Sequence, residues 1–109
     1  MVTHVCLFWN DQPDEKAGVE LLKASQDLLG KIPGPISVDC GVALASARGV
    51  VDDSFMMGLC ITFPSPTVMQ SFREHPLHQQ YVEEYVQRLS TRRVAYDILS
   101  KAGGTDEPE

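Results

Sequence analysis

Residues 55–63 read Phe-Met-Met-Gly-Leu-Cys-Ile-Thr-Phe, and neither alternate set of positions in this stretch is polar. The run is short, apolar and bounded by Ser54 and by Pro64-Ser65-Pro66, which makes it a strand. An antiparallel strand with one wet face shows a polar residue at every second position. This one does not, so the sheet that contains it needs a cover on both faces. Helices of the same chain supply one cover, and something else must supply the other.

Working outward, the segment before it alternates over residues 36–45. Ile36, Val38, Cys40, Val42 and Leu44 share one face, and Ser37, Asp39, Gly41, Ala43 and Ala45 the other. A loop over 46–54 carries Gly49 and the pair Asp52-Asp53. On the far side, residues 67–73 place Val68, Met69 and Phe72 at helical spacing, and Pro76 breaks that helix. A longer helix follows over 77–89 with His78, Val82, Tyr85 and Leu89 in one stripe, and residues 93–99 close the fold as a strand.

The N-terminal part has the same grammar. Residues 3–9 (THVCLFW) form a strand ended by Asn10-Asp11-Gln12-Pro13. Asp11 or Asn10 caps the next helix, Pro13 suits its first turn, and Asp14 and Glu15 favour its positive end. Over residues 13–29 one stripe holds Gly18, Leu21, Leu22, Ser25, Leu28 and Leu29, before Gly30 and Ile32-Pro33-Gly34-Pro35 stop the helix.

The order is strand, helix, strand, strand, helix, strand. It predicts an α+β, ferredoxin-like βαββαβ fold with a four-stranded antiparallel sheet and both helices on one face. A second copy packed sheet to sheet is the simplest cover for the other face, which makes the expected particle a two-fold homodimer, a dimeric α/β barrel. Residues 1–100 form the one domain, and residues 101–109 are expected to be a disordered acidic tail.

Composition narrows the function classes. A chain of 109 residues is one domain, and 43% hydrophobic with 22% charged residues is ordinary for a globular protein. A net charge of −6 argues against nucleic acid as a partner. The local cluster Arg88, Arg92 and Arg93 reads as helix-dipole complement and solvated surface. No run reaches the ~20 apolar residues of a membrane helix and no leader pattern is visible, so a cytoplasmic protein without a membrane role is expected. Cys6, Cys40 and Cys60 are odd in number and lie in apolar strands, as buried reduced thiols do, and no two stand at zinc-knuckle spacing.

The candidate chemistry rests on three histidines. His75 and His78 flank Pro76 at the start of a helix, the stripe turns His78 toward the sheet, and His4 shares its side of the first strand with Cys6 and Phe8. An inward imidazole beside a cavity exchanges protons near neutral pH. The bland alternatives are a helix cap for His75 and a hydrogen-bonded core residue for His78, since no nucleophile or orienting carboxylate stands at fixed spacing. Asp97 and Tyr96 can assist a pocket, although pairing with a nearby polar group suits Asp97 as well. A zinc held by His4, His75 and His78 is formally possible, but no HxH or HExxH pairing supports it, and no metal or cofactor is expected.

With HVCLF at the start, IPGPISVDCG in the middle, then FPSPTVMQSF, HPLH and VAYDIL, residues 3–99 resemble the stress-responsive A/B barrel (Dabb) family. The resemblance implies a ferredoxin-like monomer, a homodimeric barrel and a cavity between sheet and helices. Most members have no established activity. A plant branch resembling olivetolic acid cyclase carries out an intramolecular aldol cyclisation, with a tyrosine on the short helix and the second histidine of HP-x-H as its pair. Here that histidine is His78, its neighbours are His75 and His4, and the tyrosine position holds Phe72. Phenylalanine has no hydroxyl to donate, so that pair is broken.

The expectation is a homodimer of undefined activity that binds a small apolar or aromatic ligand beside Phe72, Phe8 and Tyr85. The alternative is a cofactor-independent cyclase, isomerase or oxygenase with His78 as general base and His4 and His75 orienting the substrate.

Overall fold

The computed structural model describes residues 1–11 and 15–101. Strand β1 (Val2–Trp9) is followed by helix α1 (Glu15–Ala24), which continues through a π-helical turn, Ser25–Leu29. Strands β2 (Ser37–Gly41) and β3 (Met57–Phe63) come next, then helices α2 (Pro66–Glu74) and α3 (Pro76–Tyr81). The latter runs on through a second π-helical turn, Val82–Val86, and a last turn, Gln87–Leu89, into strand β4 (Arg92–Leu99). All neighbours in the sheet are antiparallel, in the order β2-β3-β1-β4. This is the expected α+β, ferredoxin-like arrangement.

The register assigns every strand residue to a side. Facing the helices are Val2, His4, Cys6 and Phe8 of β1 and Met57, Leu59, Ile61 and Phe63 of β3. With Leu21, Leu29, Phe72, Tyr81 and Val86 from the helices, all of these but the half-buried His4 form the hydrophobic core of the described residues. The opposite side carries Val5 and Leu7, then Gly58, Cys60 and Thr62, then Val94, Tyr96 and Ile98. No element of the described residues lies over it, and the shortest extent of the molecule, 17 Å, leaves room for only one sheet and one helical layer. Tyr96 and Ile98 are 58% and 57% exposed. The uncovered face foreseen from residues 55–63 is therefore present, but its apolar bulk comes from β1 and β4, while β3 contributes small residues to it.

Three local expectations change. The alternation over 36–45 suggests a long strand, yet β2 ends at Gly41 opposite Gly58, because β3 starts at Met57 and offers no partner further on. Residues 42–56 hold no strand, and Val42, Leu44 and Val50 stand 62%, 85% and 84% exposed. Gly30 ends the first helix with φ −66°, not in the left-handed conformation. Glycine is needed there for space, since the π-helical turn brings the Gln26 carbonyl oxygen within 2.6 Å of where a Cβ would stand. Finally, the Asn10 side chain donates to the Leu89 carbonyl (2.8 Å) and the Asp11 carboxylate accepts from Thr91 Oγ1 (3.1 Å), so this turn tethers the end of the second helical run. The expected roles of Pro13 and Asp14, and the acidic tail beyond Lys101, lie outside the described residues.

Candidate functional site

Antiparallel pairing of the first and last strands sets His4 directly opposite Asp97. The His4 Nδ1–Asp97 Oδ1 distance is 2.5 Å, and Arg73 Nη2, from the last turn of α2, donates to Asp97 Oδ2 at 3.0 Å. Partial burial works to raise the Asp97 carboxyl, but the His4 bond and the Arg73 guanidinium outweigh it and hold the group below the usual carboxylate range. An ionised carboxylate only accepts, so Nδ1 of His4 carries the hydrogen and Nε2 is the free end of the ring.

His78 enters from the first turn of α3. Its position follows from two prolines: Pro66 starts α2 behind the Ser65 cap, and Pro76 forces a new helix at an angle to it. His75 occupies the corner, and its Nδ1 accepts the Leu77 backbone N–H at 3.1 Å. The His78 ring lies edge-on to Phe72 at 5.4 Å between centroids, and Phe72 in turn meets Phe63 at 5.1 Å. Tyr81 is 6.4 Å away on the other side. Burial, the nearby Arg73 guanidinium, the neighbouring His4 ring and Arg93 lower the His78 pKa, so the ring is neutral near pH 7. No hydrogen bond to the ring occurs among the described residues, and no buried side-chain nitrogen there is left unpartnered, so its nitrogens are open to a visitor.

Tyr81 closes the site toward α1. Ser25 Oγ donates to the Leu21 carbonyl at 2.8 Å, which commits its hydrogen, so the Tyr81 hydroxyl donates to Ser25 Oγ at 2.7 Å. Burial pushes the Tyr81 phenol well above its ordinary range. It is a fixed strut between the two helical runs, with its hydrogen already engaged.

The sequence-predicted residues are therefore unequally placed. His4 and His78 converge, with Phe72 against His78, where the resemblance puts a tyrosine. His75 serves as a helix cap beside them. Phe8 is buried four residues along β1 from His4, roughly 13 Å away. Tyr85 is half-buried with the Arg88 guanidinium 5.9 Å from its ring, and Tyr81 takes the place beside His78. Tyr81, three residues after His78, shares its face by ordinary helical spacing, and the extra residue of the π-helical turn at Val82–Val86 then moves the inward stripe from Tyr85 to Val86. Sequence reasoning missed Arg73, Ser25 and Tyr81. It also missed the His4–Asp97 bond, which pairing the first strand against the last would have shown.

The arginine cluster separates: Arg88 pairs with Glu20, Arg92 stacks 4.4 Å over the Trp9 ring, and Arg93 lies on the helix side of β4. The three cysteines are free, and burial raises the Cys6 thiol to about 11. Among the described residues no group of three or more His, Cys, Asp or Glu side chains is placed to hold a metal ion, and no helix is long and apolar enough to cross a membrane.

The profile described as "Stress responsive A/B Barrel Domain" matches residues 2–100. Similar solved structures include a Dabb family protein with a ferredoxin-like fold from Mesorhizobium loti (15% identity, 91% of this chain and 95% of that one, TM-score 0.74). A dimeric ferredoxin-like protein of unknown function from Thermobifida fusca is 19% identical over 89% and 88% of the two chains (TM-score 0.70). The hydroxynitrile lyase of Passiflora edulis is 17% identical over 94% of each (TM-score 0.75). At these identities the likeness speaks for the fold alone. A search of curated proteins finds no sequence match.

Proposed function

The chain belongs to the stress-responsive A/B barrel domain family, and from that premise we propose that it works as a cytoplasmic homodimer binding a small apolar or aromatic ligand between helices and sheet. The dimer half of this reading is supported by the open sheet face. Val5, Leu7, Val94, Tyr96 and Ile98 form an apolar surface on a molecule two layers thick, and covering it with a second copy removes all of them from water at once. The Thermobifida protein of this fold is described as dimeric.

The ligand half is carried by one observation: the neutral, half-buried His78 ring has aromatic neighbours but no hydrogen-bond partner among the described residues. A ligand with an apolar body and a hydroxyl or carbonyl satisfies both needs. The test is a thermal-shift screen of small aromatic ligands on the wild type and His78→Ala. A ligand at a hundred times its Kd stabilises the wild type by about 2.7 kcal/mol. Stabilisation should fall sharply in the variant, and equal stabilisation of both proteins contradicts the reading.

A second reading, acid–base catalysis, is favoured by the 2.5 Å His4–Asp97 bond. Asp97 fixes the His4 tautomer and stabilises the imidazolium formed when Nε2 takes a proton. Neutral His78, near enough to His4 to be acted on by it electrostatically, is the second proton-exchanging group. Phe72 supplies no hydroxyl and the Tyr81 hydroxyl is engaged with Ser25, so two imidazoles carry the proton traffic. The hydroxynitrile lyase neighbour shows that this fold hosts an enzyme. A pH–rate profile on any substrate found in the screen tests it: His4→Gln should remove activity while leaving ligand-induced stabilisation in place. Retained activity sinks the idea.

A further inference from the structure

The helix-facing side of β4 carries Arg93, Ala95 and Asp97 in alternation. The helices pack mainly on β2 and β3, and β4 is an edge strand, so Arg93 and Ala95 are exposed even on this side. The helix side of β4 is therefore an open strip with Ala95 at its middle. The Asp97–His4 pair stands at one end and Arg93 at the other, roughly 13 Å apart along the strand. At the Arg93 end a pocket of about 170 Å³ opens, lined by Val86, Gln87, Ser90, Thr91, Arg92 and Arg93.

The charges around this strip are not balanced. Arg73 is engaged by Asp97, Arg88 by Glu20, and Arg92 lies against Trp9. No carboxylate among the described residues pairs with Arg93, in a chain whose net charge is −6. An unpaired guanidinium at the mouth of a small pocket presents a planar fork of donors, the geometry that fits a carboxylate.

We propose that the ligand is a small organic carboxylate, with its carboxylate held by Arg93 and its apolar body running over Ala95 toward Phe72 and His78. This rests on the ligand site at His78 and names the chemical class it accepts. A neutral amide of the same shape keeps the apolar contacts and loses the charge-assisted bonds to the guanidinium.

The test is an NMR titration of the full chain with phenylacetate and with phenylacetamide, following the His78 ring and the Ala95 methyl. The carboxylate should bind at least about tenfold tighter, which one charge-assisted hydrogen bond suffices to give, and both probes should move His78. Arg93→Gln should erase the preference, and Arg93→Lys should retain part of it. Circular dichroism checks that each variant is folded. Equal affinity for the two probes with His78 moving overturns the carboxylate assignment and leaves the ligand site standing. Shifts confined to residues 86–93, with His78 still, overturn the link between Arg93 and that site. No shift with either probe at millimolar concentration overturns both.

Discussion

Removing the Ser25–Tyr81 bond in halves should give two unequal losses. Ser25 is 0% and Tyr81 2% exposed, so neither hydroxyl has water to fall back on. In Tyr81→Phe, Ser25 still donates to Leu21 and only an acceptor lone pair goes unmet, which costs about 1 kcal/mol. In Ser25→Ala, the Tyr81 hydroxyl becomes a buried donor with no acceptor, a penalty of roughly 2–3 kcal/mol, of which alanine's better helix propensity offsets about 0.5. The double variant should fall short of the sum by about 2–3 kcal/mol, because the orphaned donor is gone. Urea unfolding at one fixed protein concentration measures all three, since the stability of a dimer depends on concentration. For a chain of this size each kcal/mol moves Tm by about 4–8 °C. A larger loss in Tyr81→Phe than in Ser25→Ala, or strict additivity, refutes the donor assignment and with it the role of Tyr81 as a strut.

Asp97→Asn should release the His4 tautomer: nitrogen chemical shifts of the ring should move from a hydrogen on Nδ1 toward a mixture, and an unchanged ring would contradict the assignment. His78 should titrate below its ordinary 6.5 and move upward in Arg73→Gln, read from its ring proton shifts. Because its folded value is depressed, the unfolded chain takes the proton first. Stability should therefore fall as pH drops below 6.5, an effect fully developed below the depressed folded value, and a His78 titration at or above 6.5 removes this account.

The fold was legible because its signals are periodic. Alternation gave the strands, and Pro64, Pro66 and Pro76 marked where helices begin and break. Residues 55–63 announced a sheet whose second face needs a cover, although the large apolar residues of that face belong to β1 and β4. The site was legible only in part. His4 and His78 face inward as their spacing says, but Asp97 reaches His4 through a register spanning the whole chain, which no local pattern carries. The π-helical turn at Val82–Val86 shifts the inward stripe by one residue, so Val86 is buried where Tyr85 was expected. The length of β2 depended on where its partner strand begins, a property of β3 and not of the alternating segment itself.

The central claim is that the open face of the sheet is the place where two copies meet. Sedimentation equilibrium at micromolar concentration tests it most directly, on the wild type and on Tyr96→Glu, which puts a charge on that face at a position already exposed in the single chain. The wild type should sediment at twice the 12.0 kDa chain mass, and Tyr96→Glu should shift toward a folded single chain. A wild-type protein that stays at 12.0 kDa would contradict the claim.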